Sequence, residues 1–439
     1  MIGWLTARCP IGLSDKVWVE RRMLWLAGRF GIGRMLTARV ILPTEEYFPD
    51  AYTEDEAGVR KVMDRLCGYM DIDPASVTLE IVTDEAMPGA VGLYEMRERS
   101  NICIAHSQLA HPPSLLATLT HELAHEILLK GGHLTPEDRD HERVTDLLPV
   151  FFGLGILVAN PTVRSSTVTD GNMSYFSISK QGYLSSVVFG YALALFAFVR
   201  GERRPAWGWH LRTDARLTLR AGVRFLRRRG DSLFHPDTVD LRAEVPSVSN
   251  VRDRLASPSP TIRLAALWDV SESALITPEM LPIIEACLGD CDSQVQLTAI
   301  RTLGVFGATA AGSVQRLIAA VWQGPLDCRI AAIQTLGEIG AMPEEVVPVL
   351  GTCLRENHSS AVATAAGALA HYGSAAAPVE PDMLNALEKA ALVDDHDRMT
   401  GIIAALIAIG PDARSRVRAH MAGRDPEALR NALRAFREQ

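Results

Sequence analysis

The residues best suited to chemistry lie in the run HELAH at positions 121–125. Residues four positions apart share one face of a helix, so His121 and His125 can present two imidazoles to one metal ion. Zinc takes imidazole ligands and lowers the pKa of a coordinated water to about 7. Glu122 can take the proton from that water. The spacing therefore predicts zinc bound by His121 and His125, with Glu122 as general base.

A surface helix with two ordinary histidines is the competing interpretation of this run. Against it, His121 and His125 interrupt the apolar stripe between Leu119 and Leu128. Polar groups on a buried face are costly unless something satisfies them, and a metal ion would do so. Six of the 12 histidines lie between residues 106 and 141, which adds to the signal for a metal site.

The third ligand must come from downstream, and it decides the class of site. The metzincin pattern needs a glycine and a histidine where this chain has Leu128 and Gly131, which excludes that class. The segment Glu142-Arg-Val-Thr-Asp146 resembles the Glu-x-x-x-Asp element of gluzincins, the thermolysin-like clan. This resemblance covers little beyond residues 100 to 150. It implies that Glu142 coordinates zinc and Asp146 orients His121, although Asp146 remains an alternative ligand.

The reaction implied by this resemblance is hydrolysis of a peptide bond in a protein or peptide substrate. An oxyanion-stabilising donor would then come from outside the motif. His133, Tyr191 and His210 are candidates for that donor or for contacts with the substrate.

The competing class of function is a non-catalytic protein-binding scaffold with a structural or vestigial zinc site. Structural zinc sites usually close with four protein ligands, mostly cysteines, and no cysteine lies near the motif. An intact Glu122 also has no use in a structural site. Both features favour the enzyme.

Periodicity and β-branched alternation predict the elements that precede the motif. Helices are expected over residues 17–30 and 54–70, and strands over 77–82 and 101–105. The strand over 101–105 comes just before the motif helix, where it could align a substrate as a sheet edge.

The motif helix and the helix after it have recognisable ends. The motif helix should follow Pro112 and Pro113, be capped by Ser114 and end at Gly131-Gly132. The next helix should open at Thr135-Pro136, carry both candidates for the third ligand, and end or kink near Pro149.

From about residue 251 the chain is rich in alanine and leucine and repeats every 33 residues. Small residues allow close helix crossing, and a glycine ends the first helix of each unit. These features indicate an α-solenoid, and they resemble short bacterial HEAT repeats over roughly residues 255 to 425. The resemblance implies a concave surface for a protein partner. The residues at this spacing are Leu255, Leu288, Val321 and Leu354; Ala299, Ala332 and Ala365; and Gly307, Gly340 and Gly373.

The predicted fold is an α+β zincin-like domain followed by an all-α HEAT-like solenoid, since 439 residues exceed one ordinary core. The zincin-like metal-binding domain covers residues 1–170. A helical extension follows over 171–235, with helix expected from residue 175. A linker then covers 236–250, and the solenoid covers 251–439.

Composition limits the environment and the partners of the protein. A net charge of −8 argues against general nucleic-acid binding. Seven cysteines without a disulfide framework indicate reduced thiols. The apolar stretches 147–159 and 187–199 are shorter than the about 20 residues that span a bilayer, so no membrane span is expected. The N-terminus shows no signal peptide, and a cytoplasmic location is therefore predicted.

Arginines recur every four residues along one predicted helix. A dock for an acidic partner or for phosphates is one interpretation of this stripe. The other is a solvated face, or a face paired with acidic residues of the neighbouring domain, and the net charge of −8 favours it. The stripe consists of Arg212, Arg216, Arg220, Arg224 and Arg228, with Arg227 and Arg229 beside the last.

Overall fold

The computed structural model describes residues 7–87, 90–161, 163–170, 173–180, 183–234, 248–272, 276–356 and 358–437. The chain divides into two compact units, residues 1–244 and 245–439. The linker predicted over 236–250 lies outside the described residues, except for its last three. The domain boundaries predicted at residues 170 and 235 stay predictions.

The first unit combines helices with short strands. Its α-helices in the described residues are α1 (Leu13–Phe30), α2 (Ile32–Thr37), α3 (Glu56–Met70), α4 (Pro112–His125), α5 (His141–Phe151), α6 (Gly155–Ala159), α7 (Ser186–Val199) and α8 (Thr213–Arg229). Its strands there are β1 (Val77–Val82), β2 (Gly92–Glu95), β3 (Ser100–Ala105), β4 (Val163–Asp170) and β5 (Met173–Lys180).

The three strands nearest the motif form one small sheet in the order β1-β3-β2. Strand β1 pairs with β3 in parallel, and β2 pairs with β3 in the antiparallel direction. All six residues of β3 are buried. The strands predicted over 77–82 and 101–105 are therefore present, but the second is central and cannot be the substrate-aligning edge. Among the described strands, the edges of this sheet are β1 and β2, and β2 is too short and mixed in composition to be predicted.

The two helices that carry the candidate ligands begin and end differently from the prediction. Helix α4 starts on Pro112 itself, because proline suits the first helical positions. Ser114 does not cap the helix; its Oγ donates to Gln108 Oε1 at 2.8 Å. After His125 the helix changes to a π-helical turn over Glu126–Lys130.

Helix α5 begins at His141, several residues later than expected. Asp138 Oδ2 accepts hydrogen bonds from the backbone N–H and the hydroxyl of Thr135, which closes a local turn before the helix. Pro149 lies inside α5 rather than at its end. The prediction of helix from residue 175 is also wrong at its start, because β5 extends to Lys180.

Helix α7 forms the centre of the first unit and packs against α1, α5 and α8. It has 14 residues, of which nearly all are buried. Among the described residues, no helix has both the length and the apolar character that crossing a membrane requires.

The second unit is a stack of helical pairs. Within it, α10 packs on α12, α12 on α14, α14 on α16, and α16 on α18. The predicted helical repeat is confirmed, and Ala299, Ala332 and Ala365 are fully buried where these helices cross. Its described helices are α9 (Val248–Leu255), α10 (Pro260–Glu272), α11 (Leu281–Ala286), α12 (Ser293–Val305), α13 (Val314–Gln323), α14 (Leu326–Ile339), α15 (Pro343–Cys353), α16 (Ser359–Ala370), α17 (Glu380–Leu392), α18 (His396–Ile409), α19 (Ala413–Met421) and α20 (Pro426–Ala435).

Replacing each of two glycines in this unit by alanine should change the stability of the fold in opposite directions. Gly340 ends α14 at a φ of 62°, so Gly340→Ala should destabilise the fold by about 1 kcal/mol. Gly367 lies inside α16 with open space around it, so Gly367→Ala should stabilise it by about 0.5–1 kcal/mol. Urea unfolding of the full chain measures both. Shifts in the same direction would contradict the helix-ending role of Gly340.

Candidate metal and active site

Three side chains from two packed helices converge on one point. His121 and His125 lie at the end of α4, and Glu142 lies in the first turn of α5. Glu142 Oε2 is 3.2 Å from His121 Nε2 and 3.5 Å from His125 Nε2. One potential ligand atom of each residue lies within 4.8 Å of the others. The structure thus brings together the three predicted ligands, here termed the His-Glu cluster (His121, His125 and Glu142).

Asp146 holds the ring of His121 from behind. Its Oδ1 is 2.8 Å from His121 Nδ1. Because a carboxylate accepts hydrogen bonds, Nδ1 carries the proton in the neutral imidazole, and Nε2 then has the lone pair. The other oxygen, Oδ2, accepts the backbone N–H groups of Tyr183 at 2.7 Å and Leu184 at 2.9 Å. Asp146 therefore lies where an orienting partner of His121 would lie, and it is not among the three converging atoms.

Thr145 contacts the ring of His125 much as Asp146 contacts that of His121. The Thr145 hydroxyl donates to the carbonyl of His141 at 2.9 Å, so its oxygen can accept from His125 Nδ1 at 3.4 Å. This arrangement leaves Nε2 of His125 as the unprotonated nitrogen. When both imidazoles are neutral, each thus presents a lone pair toward Glu142.

The converging atoms fit a cation. Glu142 Oε2 is buried and has no hydrogen-bond partner of adequate geometry in the described part of the chain. Acceptors that face one another are unfavourable unless a proton or a cation lies between them. Two imidazoles and one carboxylate are a donor set that zinc takes in catalytic sites with three protein ligands.

A proton competes for the same position. Burial lowers the pKa of His121, but the nearby carboxylates of Asp146 and Glu142 outweigh it and hold that pKa well above its usual value. Burial raises the pKa of Glu142, but His121 and His125 outweigh it and hold that pKa well below its usual value. A metal ion must therefore displace a proton from His121, so binding should weaken as the pH falls.

Glu122 lies beside the cluster and against β2. Its side chain is only 6% exposed. Burial is the main cause that raises its pKa, Glu142 and Asp146 add to the rise, and the two histidines oppose it. A Cβ at Gly92 would lie 2.4 Å from Thr118 Cγ2 and 2.6 Å from Glu122 Oε1, so glycine lets the strand pass this close to both side chains.

Two tyrosines that the sequence did not indicate line the histidines. The ring of Tyr183 stacks on His121 with centroids 6.0 Å apart, and that of Tyr94 stacks on His125 at 5.8 Å. Tyr94 donates its hydroxyl to Glu126 Oε2 at 2.7 Å, whereas the side chain of Tyr183 is 55% exposed. Tyr183 comes after strand β5 and far from the motif in sequence, so no local pattern could have identified it.

His141 is a neighbour of the cluster rather than a member of it. Its Nε2 lies 3.3 Å from Glu142 Oε1, the oxygen that points away from the other histidines. Its Nδ1 donates to the carbonyl of Asp138 at 2.9 Å. The group of converging ligand atoms does not include His141.

Tyr191 has a different role from the one predicted for it. Its side chain is fully buried, and its hydroxyl donates to Glu20 Oε1 at 2.6 Å. Glu20 also pairs with buried Lys16 at 3.1 Å. The hydroxyl is committed to this internal charge pair, which corrects its assignment as an oxyanion donor.

The other two candidate donors also lie apart from the cluster. His133 packs the edge of its ring on Phe30, with centroids 4.9 Å apart. His210 is exposed in the turn before α8, and its carbonyl accepts from Asn160 at 2.8 Å. Within the described residues, neither makes a hydrogen bond, ion pair or ring contact with the His-Glu cluster.

Comparison with known proteins adds no assignment for this site. The chain matches no protein-family model and no curated protein. A designed armadillo repeat protein is 14% identical, with a TM-score of 0.32 over 44% of this chain and 99% of that chain. The karyopherin Kap121p bound to Pho4p is 14% identical, with a TM-score of 0.37 over 76% of this chain and 35% of that chain. At these TM-scores, the repeat architecture rests on the helix packing of the second unit itself.

The purified protein should bind one equivalent of zinc, and the affinity should fall as the pH is lowered. Glu142→Gln should weaken binding by at least about tenfold, because a charged ligand is lost. Glu137→Gln is the matched control, since this exposed residue lies in the turn before α5. Competition with a chromogenic chelator measures both affinities. A chain that takes up no zinc, or equal affinities in the two variants, would rule out the site.

Proposed function

We propose that this chain is a zinc-dependent peptidase of gluzincin type, with a zincin-like domain in its first unit. His121, His125 and Glu142 hold the metal, Asp146 orients His121, and Glu122 is the general base. The observation that supports this proposal is the convergence of three donor atoms, with an orphaned carboxylate oxygen among them, beside the buried carboxylate of Glu122.

Zinc, when bound, polarises a carbonyl and lowers the pKa of water, so both reactants of a hydrolysis are activated at one place. Glu122 takes the proton of the attacking water and passes it to the leaving amine. A general base works best when its pKa lies near the working pH, and burial moves the pKa of Glu122 in that direction.

The free edge of β2 gives an extended substrate a place to pair. Strand β2 hydrogen-bonds to β3 on one side only, and Leu93 on it is exposed. An added peptide strand gains main-chain hydrogen bonds along such an edge. Because Gly92 abuts Glu122, a peptide on this edge would carry its backbone past the base.

Tyr183 is our candidate for the donor that stabilises the oxyanion. Burial raises the pKa of its phenol, and the negative charges of Glu142, Asp146 and Glu122 raise it further. The hydroxyl therefore stays protonated and can donate. Two backbone hydrogen bonds to Asp146, from Tyr183 and Leu184, fix the position of this segment beside His121.

A non-catalytic protein-binding scaffold is the second candidate function. The helical repeats of the second unit support it, because such arrays commonly present long surfaces to protein partners. We propose that they bind a protein partner or select the substrate in either case. Two features support the enzyme over a structural zinc site: the cluster has three ligands rather than four, and Glu122 is buried beside it without being a ligand.

A cytoplasmic location is part of the same proposal. Seven free cysteines, five of them buried, stay reduced in the cytoplasm, and we propose that the protein works there.

Glu122→Gln should separate the two functions. The variant should keep its zinc, lose about 100-fold or more in activity, and retain substrates that the wild type releases. Capture from lysate followed by mass spectrometry of wild type, Glu122→Gln and the control Glu137→Gln measures this. Identical cleavage products in cells with wild type or Glu122→Gln would exclude the peptidase. The same intact partner on all three proteins would support the scaffold.

Tyr183→Phe should lower kcat by about 100-fold and leave KM and zinc content nearly unchanged, because an oxyanion donor acts mainly in the transition state. Tyr191→Phe is the matched control. It should destabilise the fold by about 1–3 kcal/mol, since Glu20 loses a buried donor, yet it should preserve kcat. Steady-state kinetics on a substrate identified by capture, together with thermal unfolding, measures both. An unchanged kcat in Tyr183→Phe would remove the residue from the mechanism.

A further inference from the structure

A concave groove lies in the first unit away from the His-Glu cluster, formed by α8 and the turn before it. This groove has a volume of about 750 Å³, within the size range of small-molecule sites. Its floor is apolar and includes Leu219 and Val223 of α8 and Gly208 of the turn. Seven guanidinium groups line it, from Arg203, Arg204, Arg216, Arg220, Arg224, Arg227 and Arg228.

These seven arginines have no carboxylate partner among the described residues, and no Asp or Glu lines the groove. Two acidic residues that lie close in sequence accept hydrogen bonds from residues that do not line the groove. Glu202 accepts from Arg200 and Trp207, and Asp214 accepts from Arg212 and Ser186. Of the two forms of the favoured sequence interpretation, ion pairing is not seen in the groove among the described residues, whereas the exposure of Arg220, Arg224, Arg227 and Arg228 fits a solvated face. Like charges placed this close together repel one another, and a bound anion would relieve that repulsion.

Trp209 positions two of these guanidinium groups. Its ring is 67% exposed, which is unusual for tryptophan on a surface without a partner. The guanidiniums of Arg216 and Arg220 lie over it at 5.0 and 4.6 Å from the ring centre. Among the described residues, the buried Nε of Arg216 has no hydrogen-bond partner. Cation–π contacts thus position donors that are still unsatisfied.

We infer that this groove binds a compact polyphosphate, either inorganic or as the polyphosphate group of a nucleotide. The planar guanidinium matches phosphate oxygens in bidentate pairs, and several guanidiniums on one wall match several linked phosphates. The limited volume favours a small ligand over a nucleic-acid strand. The groove is built from residues outside the His-Glu cluster, so this inference does not depend on the peptidase proposal.

Isothermal titration of the full chain with inorganic triphosphate and with ATP tests the inference. Triphosphate should bind and raise the thermal unfolding temperature. The double variant Arg220→Gln/Arg224→Gln should weaken its binding by at least about tenfold. The control Arg414→Gln/Arg418→Gln should leave the affinity within about twofold, since these arginines are also exposed and four residues apart on a helix.

The comparison between ATP and triphosphate identifies the source of the phosphates. Tighter binding of ATP that Trp209→Ala removes would support a nucleotide, and equal binding of both would support an inorganic polyphosphate. Three results would overturn the inference: no binding of either probe, equal binding by the groove and control variants, or binding only of a single-stranded oligonucleotide or of anionic vesicles.

Discussion

The packing of α5 against α4 is the constraint on which the candidate site depends. The two histidines come from one helix and the glutamate from the other, so the donor atoms meet only while the helices lie side by side. Asp146 strengthens this arrangement because one carboxylate joins three elements. It binds His121 on α4, belongs to α5, and accepts two backbone N–H groups from the segment that leads into α7. A charge that is satisfied on both oxygens in this way fixes the ring it orients.

The sequence could indicate the two histidines because their spacing is set by helix geometry, whereas Glu142 was indicated by the resemblance to gluzincins. His121 and His125 share a face whatever surrounds them, and the 33-residue repeat likewise reflects packing that each unit repeats with its neighbour. Tyr183 and Gly92 could not be found in this way. Each reaches the site through a tertiary contact, with His121 and with Glu122 respectively, that no local period encodes. Ser114 shows the same limit, because Gln108 competes for its hydroxyl.

Charge in this chain is distributed very unevenly between its parts. The overall balance is acidic, yet α8 and its preceding turn expose a cluster of arginines, while Glu122 and Glu126 are buried close together near the motif. Glu126 is satisfied by Tyr94 and Lys130, whereas Glu122 has a raised pKa and no hydrogen bond from these groups. Two glutamates one helical turn apart thus differ, because a hydrogen bond from Tyr94 and an ion pair with Lys130 stabilise the Glu126 carboxylate, whereas burial raises the pKa of Glu122. Net charge alone would predict neither this difference nor the basic groove.

The contact between Gly92 and Glu122 also has an evolutionary consequence. The strand can approach the carboxylate only while position 92 lacks a side chain. A Cβ at this position would meet Thr118 Cγ2 at 2.4 Å as well as Glu122 Oε1 at 2.6 Å. A lineage that replaced Glu122 alone would therefore still need glycine at position 92. A side chain at 92 would record that positions 118 and 122 had both become smaller among descendants of this protein.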